Sequence, residues 1–268
     1  FLILDYFIIF LLTLLFGCKS IEISSYWRDR EINIDGNSDE WESKTWVAKD
    51  FPNMAFGFMN DENYFYLSLT ISDRALQRQI AMMGLTVWFD RNGGEEKRFG
   101  VRYPVGMEMR EMQMERRKFG QNEERGRDTM PQFPEKFSNE LEIFGPMENE
   151  HQLIRMPETG GIEVALHFLR GLLVYEMKVP LQDKSPQPYV IGATVGSVIG
   201  VGIETNNRDM PDGRGERPMM GGGAGGGGLG GRRGDRHGSE ARSETEGMKE
   251  PLKLWAKVKL AIQDSSSH

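Results

Sequence analysis

The sequence predicts an all-β protein, an antiparallel β-sandwich, and the evidence is three alternating runs between Phe56 and Tyr103. In the run from Tyr64 to Ser72, every second residue is apolar. That period is typical of a strand with one face in a core and the other partly solvated. The run from Leu85 to Asp90 also alternates and leads into Arg91-Asn-Gly-Gly94, which suits a tight reversal. Phe99 to Tyr103 alternates again, so these strands form the middle of the predicted sheet.

Strand parity selects three candidate binding residues. If the odd-numbered residues of Leu85 to Asp90 face the core, Trp88 points outward, and by the same parity Tyr66 and Arg102 lie on the outward faces of their strands. We expect these two aromatic rings and the guanidinium to share one sheet face. An outward indole offers a platform for a planar or ring-shaped ligand. The alternative is that a second layer covers this face, because aromatic residues are more often packed than exposed.

Composition limits the possible functions. The chain has 268 residues, enough for one sandwich with insertions, but only 38% are hydrophobic and 32 are glycine. A sizeable part of the chain is therefore expected outside the core. The net charge of −7 argues against a nucleic-acid partner.

The N-terminal stretch suggests export. Phe1 to Phe16 is almost wholly apolar, too short for a confident transmembrane helix and suited to a signal peptide. Leu15-Phe-Gly-Cys18 resembles the bacterial lipobox, and Cys18 is the only cysteine. We expect residues 1–18 to be a lipoprotein signal peptide with Cys18 as the lipidation site, residues 19–31 to be a tether, and the protein to sit in the bacterial cell envelope, at the outer membrane. The alternative is an incidental cysteine in a membrane-anchoring helix.

The segment Ile34-Asp-Gly-Asn-Ser-Asp-Glu-Trp41 carries a family resemblance. It is similar to the opening signature of family 9 carbohydrate-binding modules and their DOMON-related relatives. Later runs match the family's strands in the same order, at 61–73, 85–90, 175–181 and 254–260. The resemblance implies a single sandwich, jelly-roll or immunoglobulin-like, over 32–262. It also implies a polysaccharide or sugar-end ligand held by aromatic stacking and polar edge contacts.

Two insertions interrupt this predicted domain. In residues 105–161, four methionines lie among good helix formers, which predicts a partly helical excursion over the surface; they are Met107, Met109, Met112 and Met114. Their spacing could also suit a soft metal such as Cu(I), although methionine more often fills irregular packing. In residues 206–250, the run Gly221 to Gly231 is nearly all glycine and predicts a disordered loop. A tail, 263–268, follows the last strand.

No catalytic constellation is visible in the sequence. The four histidines have no metal-ligand spacing, and no serine lies in a nucleophile-elbow pattern. Asp61, Asp73 and Asp90 at strand ends could help to hold Ca²⁺, or could simply be turn residues. The sequence therefore predicts a protein that is not an enzyme and has no resident cofactor, with calcium left open.

Three functions fit these observations. The first is an exported, lipid-anchored carbohydrate-binding protein that uses Trp88, Tyr66 and Arg102. The second is a redox-associated module, because related sandwich domains hold haem, with His167 or a methionine of the first insertion as axial ligand. The third is a structural envelope protein that has no small ligand and uses its insertions as contact surfaces.

Overall fold

The computed structural model describes residues 21–41, 43–47, 51–106, 139–145, 150–182, 189–205 and 251–263. The residues outside these ranges include Cys18 with the apolar N-terminal stretch, the methionines at 107, 109, 112 and 114, the glycine-rich run and most of the tail. Among the helices placed by the structure, none has the length and hydropathy needed to cross a bilayer.

The described chain is mostly β-structure. One α-helix, α1 (Arg74–Met83), and two short 3-10 turns, at Asp39–Trp41 and Met156–Glu158, accompany the strands. In chain order the strands are β1 (Ile21–Ser24), β2 (Tyr26–Trp27), β3 (Trp46–Val47), β4 (Met54–Asn60), β5 (Tyr64–Ile71), β6 (Leu85–Asp90), β7 (Phe99–Tyr103), β8 (Glu140–Phe144), β9 (His151–Arg155), β10 (Glu163–Leu169), β11 (Leu172–Pro180), β12 (Val198–Thr205) and β13 (Lys253–Lys259).

These strands form two sheets, which confirms the predicted β-sandwich. The first sheet has the order β1-β13-β12-β6-β7-β8-β9, and the second has the order β10-β11-β5-β4-β2, with β3 also paired to β4. Most pairs are antiparallel, but β1 joins β13 and β2 joins β4 in parallel, so both sheets are mixed. Residues 21–27, within the expected tether, add one short strand to each sheet.

The first insertion also differs from its prediction. Instead of only crossing the surface, the chain returns as β8 and β9 and extends the first sheet. Leu141 and Ile143 of β8 are buried in the core. The alternation of these residues with Glu140, Glu142 and Phe144 is the strand signal, and it leaves Phe144 facing outward.

The core lies between the sheets and follows the predicted parity. Leu85, Val87 and Phe89 of the first sheet point inward. Phe65 of the second sheet meets Phe89 edge to face, with ring centroids 5.9 Å apart. Burying one such side chain stabilises the fold by about 1.5–3 kcal/mol, so this shared core holds the two sheets together.

Helix α1, which the alternating pattern of the sequence does not predict, links the second sheet to the first. Asp73 begins it by accepting hydrogen bonds from the backbone N–H groups of Ala75 at 2.9 Å and Leu76 at 3.0 Å. It ends at Gly84, whose φ is +82°. Ile80 is its fully buried anchor in the core.

The segment that carries the family resemblance packs on the outward face of the second sheet. Trp41 is 1% exposed and joins Ile32, Met59 and Tyr66 in a second apolar cluster, which is separate from the core between the sheets. Glu176 of β11, also buried, holds this segment in place. One carboxylate oxygen accepts the indole N–H of Trp41 at 2.7 Å, and the other accepts backbone N–H groups of Gly36 at 2.8 Å and Asp35 at 3.2 Å. We call this arrangement the Glu176 clasp.

The clasp predicts a pH-dependent stability. Burial raises the pKa of Glu176 to about 7, although hydrogen bonds from Gly36 and Trp41 oppose the change. A carboxyl whose pKa is raised on folding stabilises the protein most below its unfolded value, and this contribution is lost as the pH rises through about 7. Relative to Glu176→Gln, the wild-type unfolding free energy should fall by roughly 2 kcal/mol between pH 5 and 8. Urea titrations of both proteins measure this difference, and equal pH slopes would contradict it.

Candidate functional site

The outward face of the first sheet carries a row of aromatic residues. Trp88 faces outward, as strand parity predicts, and it pairs with Gly202 of β12 on one side and Gly100 of β7 on the other. Because each register pair lies directly opposite, the row can be followed from strand to strand. From β13 to β9 it consists of Trp255, Gly202, Trp88, Gly100, Phe144 and His151. We call it the aromatic row.

Each indole in this row lies over the glycine on the neighbouring strand. A Cβ added at Gly100 would be 2.5 Å from Cε3 of Trp88, and one added at Gly202 would be 2.6 Å from Cε2 of Trp255. Glycine in a strand interior often marks such close approach, because any side chain would occupy the space of the ring. The two glycines therefore let the indoles rest across the sheet rather than stand away from it.

Gly100→Ala should displace the Trp88 ring. Forcing a methyl group into a filled position costs about 1–3 kcal/mol. In the Trp88→Ala background the clash is gone, and the same substitution should cost less than about 1 kcal/mol, a non-additivity expected of residues in contact. Chemical denaturation of the two single variants and the double variant tests this. Equal costs of Gly100→Ala in both backgrounds would show that the ring does not lie over the glycine.

Exposure increases along the aromatic row towards β9. Trp255 is only 9% exposed, whereas Trp88 and Phe144 are half-buried and His151 is exposed. The rings of Trp88 and Phe144 have centroids 5.1 Å apart, and those of Phe144 and His151 are 6.2 Å apart. Trp88, Phe144 and His151 therefore form a continuous accessible part of the row, which we call the aromatic strip.

A second row of outward residues runs parallel to the aromatic row. It consists of Glu204, Thr86, Arg102 and Glu142 on β12, β6, β7 and β8, and we call it the polar row. Arg102 donates from Nε to the Thr86 hydroxyl at 3.1 Å and is ion-paired with Glu142 at 2.5 Å. Its guanidinium also lies over Phe144, 4.7 Å from the ring centroid. Arg102 thus connects the polar row to the aromatic strip.

Lys97, on the loop between β6 and β7, closes one end of this arrangement. Its ammonium is 5.5 Å from the centroid of the Trp88 ring and is ion-paired with Glu204 at 2.5 Å. The Lys97 side chain is 44% exposed, whereas that of Glu204 is 15% exposed. The two cations beside the open rings, Lys97 and Arg102, therefore each have a carboxylate partner.

Two polar atoms on this face have unused hydrogen-bonding capacity. Within the described part of the chain, the indole N–H of Trp88 and Oε1 of Glu204 are buried without a hydrogen-bond partner. An unpaired buried donor or acceptor costs about 1–3 kcal/mol, so groups of this kind need an explanation such as a ligand or solvent. Because both atoms are buried, a ligand on the outward face would not reach them without a shift of the surrounding side chains.

The expected grouping of three binding residues is wrong for Tyr66. It faces outward, but from β5 of the second sheet, and it is 3% exposed beneath the segment held by the Glu176 clasp. Its hydroxyl donates to Asp61 at 3.0 Å, and burial raises its pKa. Tyr66 therefore shares no face with Trp88 and Arg102, which do lie on one face of the first sheet.

The face also contains residues that sequence reasoning did not select. Phe144 and His151 fall in the predicted first insertion, and Lys97 lies between two predicted strands. The alternation of polar and apolar residues from Glu140 to Phe144 indicates a strand, because it resembles the alternation of the predicted strands. This pattern is the sequence signal for Phe144. Nothing local in the sequence indicates that Lys97 reaches across to Trp88.

The three aspartates considered for calcium are used in turns. Asp90 accepts hydrogen bonds from the backbone N–H groups of Asn92 at 2.9 Å and Glu96 at 3.0 Å. Asp61 accepts one from the backbone N–H of Asn63 at 2.7 Å. Asp73 caps α1. No group of three or more potential metal ligands occurs within the ranges that the structure describes. Of the candidate haem ligands, His167 is exposed on β10 of the second sheet, and Met156 of the first insertion is packed against the core between the sheets.

The fold and this face define a two-sheet β-sandwich with an outward aromatic row. No family model and no curated protein matches the chain. Two solved structures of a family 9 carbohydrate-binding module from Caldicellulosiruptor kristjanssonii are similar to it. The one in complex with glucose has 14% identity over 72% of this chain and 80% of that chain, with a TM-score of 0.35. The one in complex with cellotriose has 11% identity over 93% of this chain and 97% of that chain, with a TM-score of 0.40.

Proposed function

We propose that this protein binds carbohydrate on the outward face of the first sheet. The observation that carries the proposal is the aromatic strip, whose Trp88 ring rests on Gly100 and is flanked by the polar row. The family resemblance of the segment ending at Trp41 supports the same class of ligand. Trp88, Phe144 and Arg102 are the proposed contact residues.

The chemistry of this face suits a sugar. A pyranose ring has an apolar face of C–H groups, which can pack on an aromatic ring, and a rim of hydroxyl groups. The polar row places charged side chains beside that rim, and charge-assisted hydrogen bonds are stronger than neutral ones.

Pairing of the charges favours a neutral glycan. Lys97 is neutralised by Glu204, and Arg102 by Glu142. Binding a uronate or sulfate group would require one of these ion pairs to open, which costs free energy when the carboxylate is left partly buried. We therefore propose uncharged polysaccharides as the ligand class.

Binding rather than hydrolysis is proposed for this face. Glu204 and Glu142 are three strands apart, about 14 Å at the usual spacing of strands. Carboxylate pairs of glycosidases lie about 5–9.5 Å apart. The separation of these two carboxylates supports a non-catalytic role.

We also propose that the protein is exported and lipid-anchored at Cys18, in the bacterial cell envelope. The support is the sequence Leu15-Phe-Gly-Cys18 and the absence of any other cysteine. Metabolic labelling with an alkyne fatty acid in a bacterial host should mark the protein, and Cys18→Ser should remove the label. A label that survives the substitution would exclude this anchor.

Titration against a glycan panel tests the proposed ligand class. The panel should contain neutral β-glucans, xylans and mannans beside charged pectins and alginates. We expect saturable binding to at least one neutral glycan, with weaker binding to the charged ones. Absence of binding to every member, or binding restricted to the charged members, would overturn the proposal.

A further inference from the structure

We infer that the ligand is a linear glycan whose chain lies across the strands of the first sheet. This inference rests on the proposed function and adds the direction and length of the bound chain. It follows from the arrangement of the aromatic strip and the polar row on the first sheet.

The direction follows from the register. Trp88, Phe144 and His151 lie at one level of β6, β8 and β9, so the line through their rings crosses the strands. Thr86, Arg102 and Glu142 lie two residues away along the same strands, which separates the two rows by about 7 Å. That separation is close to the width of one sugar ring. A chain parallel to both rows would stack its faces on the first and present its hydroxyl edges to the second.

The length follows from the spacing of the strands. From β6 to β9 there are three strand intervals, about 14 Å, which accommodates about three pyranose units. Successive ring centroids in the strip are 5.1 Å and 6.2 Å apart, so the aromatic surface continues from one sugar to the next. A single monosaccharide would use only part of this surface.

Oligosaccharides of graded length test the inference. The full chain would be titrated calorimetrically with cello-, xylo- and manno-oligosaccharides of one to six units. For the series that binds, affinity should rise at least tenfold from one unit to three and change less than twofold from four to six.

Two variants make the assignment specific. His151→Ala should weaken trisaccharide binding at least threefold and disaccharide binding less than twofold, because only the longer chain reaches β9. Tyr26→Ala is the matched control, since this aromatic residue is 39% exposed at the edge of the second sheet. It should leave every affinity unchanged.

The outcomes separate the two ideas. If a monosaccharide binds as tightly as the hexasaccharide, the protein binds carbohydrate but the strand-crossing mode is wrong. If no oligosaccharide of any series and no polysaccharide of the panel binds, the proposed function itself fails and the inference fails with it.

Discussion

Trp88→Ala is expected to weaken glycan binding at least tenfold, equivalent to about 1.4 kcal/mol. The substitution removes the largest ring of the aromatic strip, and tryptophan is among the residues most often found at binding hot spots. Isothermal titration with the best ligand of the panel measures the loss.

The loss should occur without unfolding, because Trp88 faces away from the core. Its neighbours Val87 and Phe89, both buried, hold β6 in the sheet. Trp88→Phe retains an aromatic face and should recover part of the affinity, whereas Tyr26→Ala should have no effect. Binding by Trp88→Ala that equals wild-type binding, in a protein of unchanged thermal stability, would contradict the assignment of this face.

Trp41→Ala is expected to lower the unfolding free energy by about 3–5 kcal/mol, the usual cost of truncating a buried aromatic side chain. Trp41 is 1% exposed, and its ring covers Gly57, where an added Cβ would be 2.9 Å from Cε3. The substitution leaves a cavity and takes one hydrogen-bond donor from Glu176. Urea denaturation provides the measurement.

A conservative variant separates packing from hydrogen bonding in this region. Trp41→Phe keeps most of the apolar contact but removes the indole N–H, and should cost about 1–3 kcal/mol. In the Glu176→Ala background the same change should cost less, since its acceptor is gone. If Trp41→Phe is equally costly in both backgrounds, the hydrogen bond to Glu176 contributes nothing to stability.

The alternating strands could be predicted because their signal is local. Tyr64 to Ser72 and Leu85 to Asp90 each carry the period of two within a few residues, and parity then gives the outward position of Trp88. The same reasoning could not place Tyr66, because a sandwich has two outward faces. Parity states that a residue points away from the core, but which sheet its strand joins is decided by pairing with distant segments.

The missed elements share a physical cause, which is weak local signal. β1 and β2 have four and two residues, too few to show a period, and they exist because they pair with β13 and β4. Helix α1 buries two glutamines, Gln77 and Gln79, beside Ile80, so its buried face is not marked by apolar residues alone. The Glu176 clasp depends on contacts between residues about 140 positions apart, such as Gly36 and Glu176.

The indole N–H resonances provide the most direct measurement of where the ligand binds. The chain has five tryptophans, at positions 27, 41, 46, 88 and 255, and each gives one signal in a ¹⁵N-labelled sample. On titration with the best-binding oligosaccharide, the Trp88 signal, assigned through Trp88→Phe, should move most, while that of Trp41 should stay in place. Movement of the Trp27 or Trp46 signals with Trp88 unchanged would place the ligand on the second sheet and contradict the proposed site.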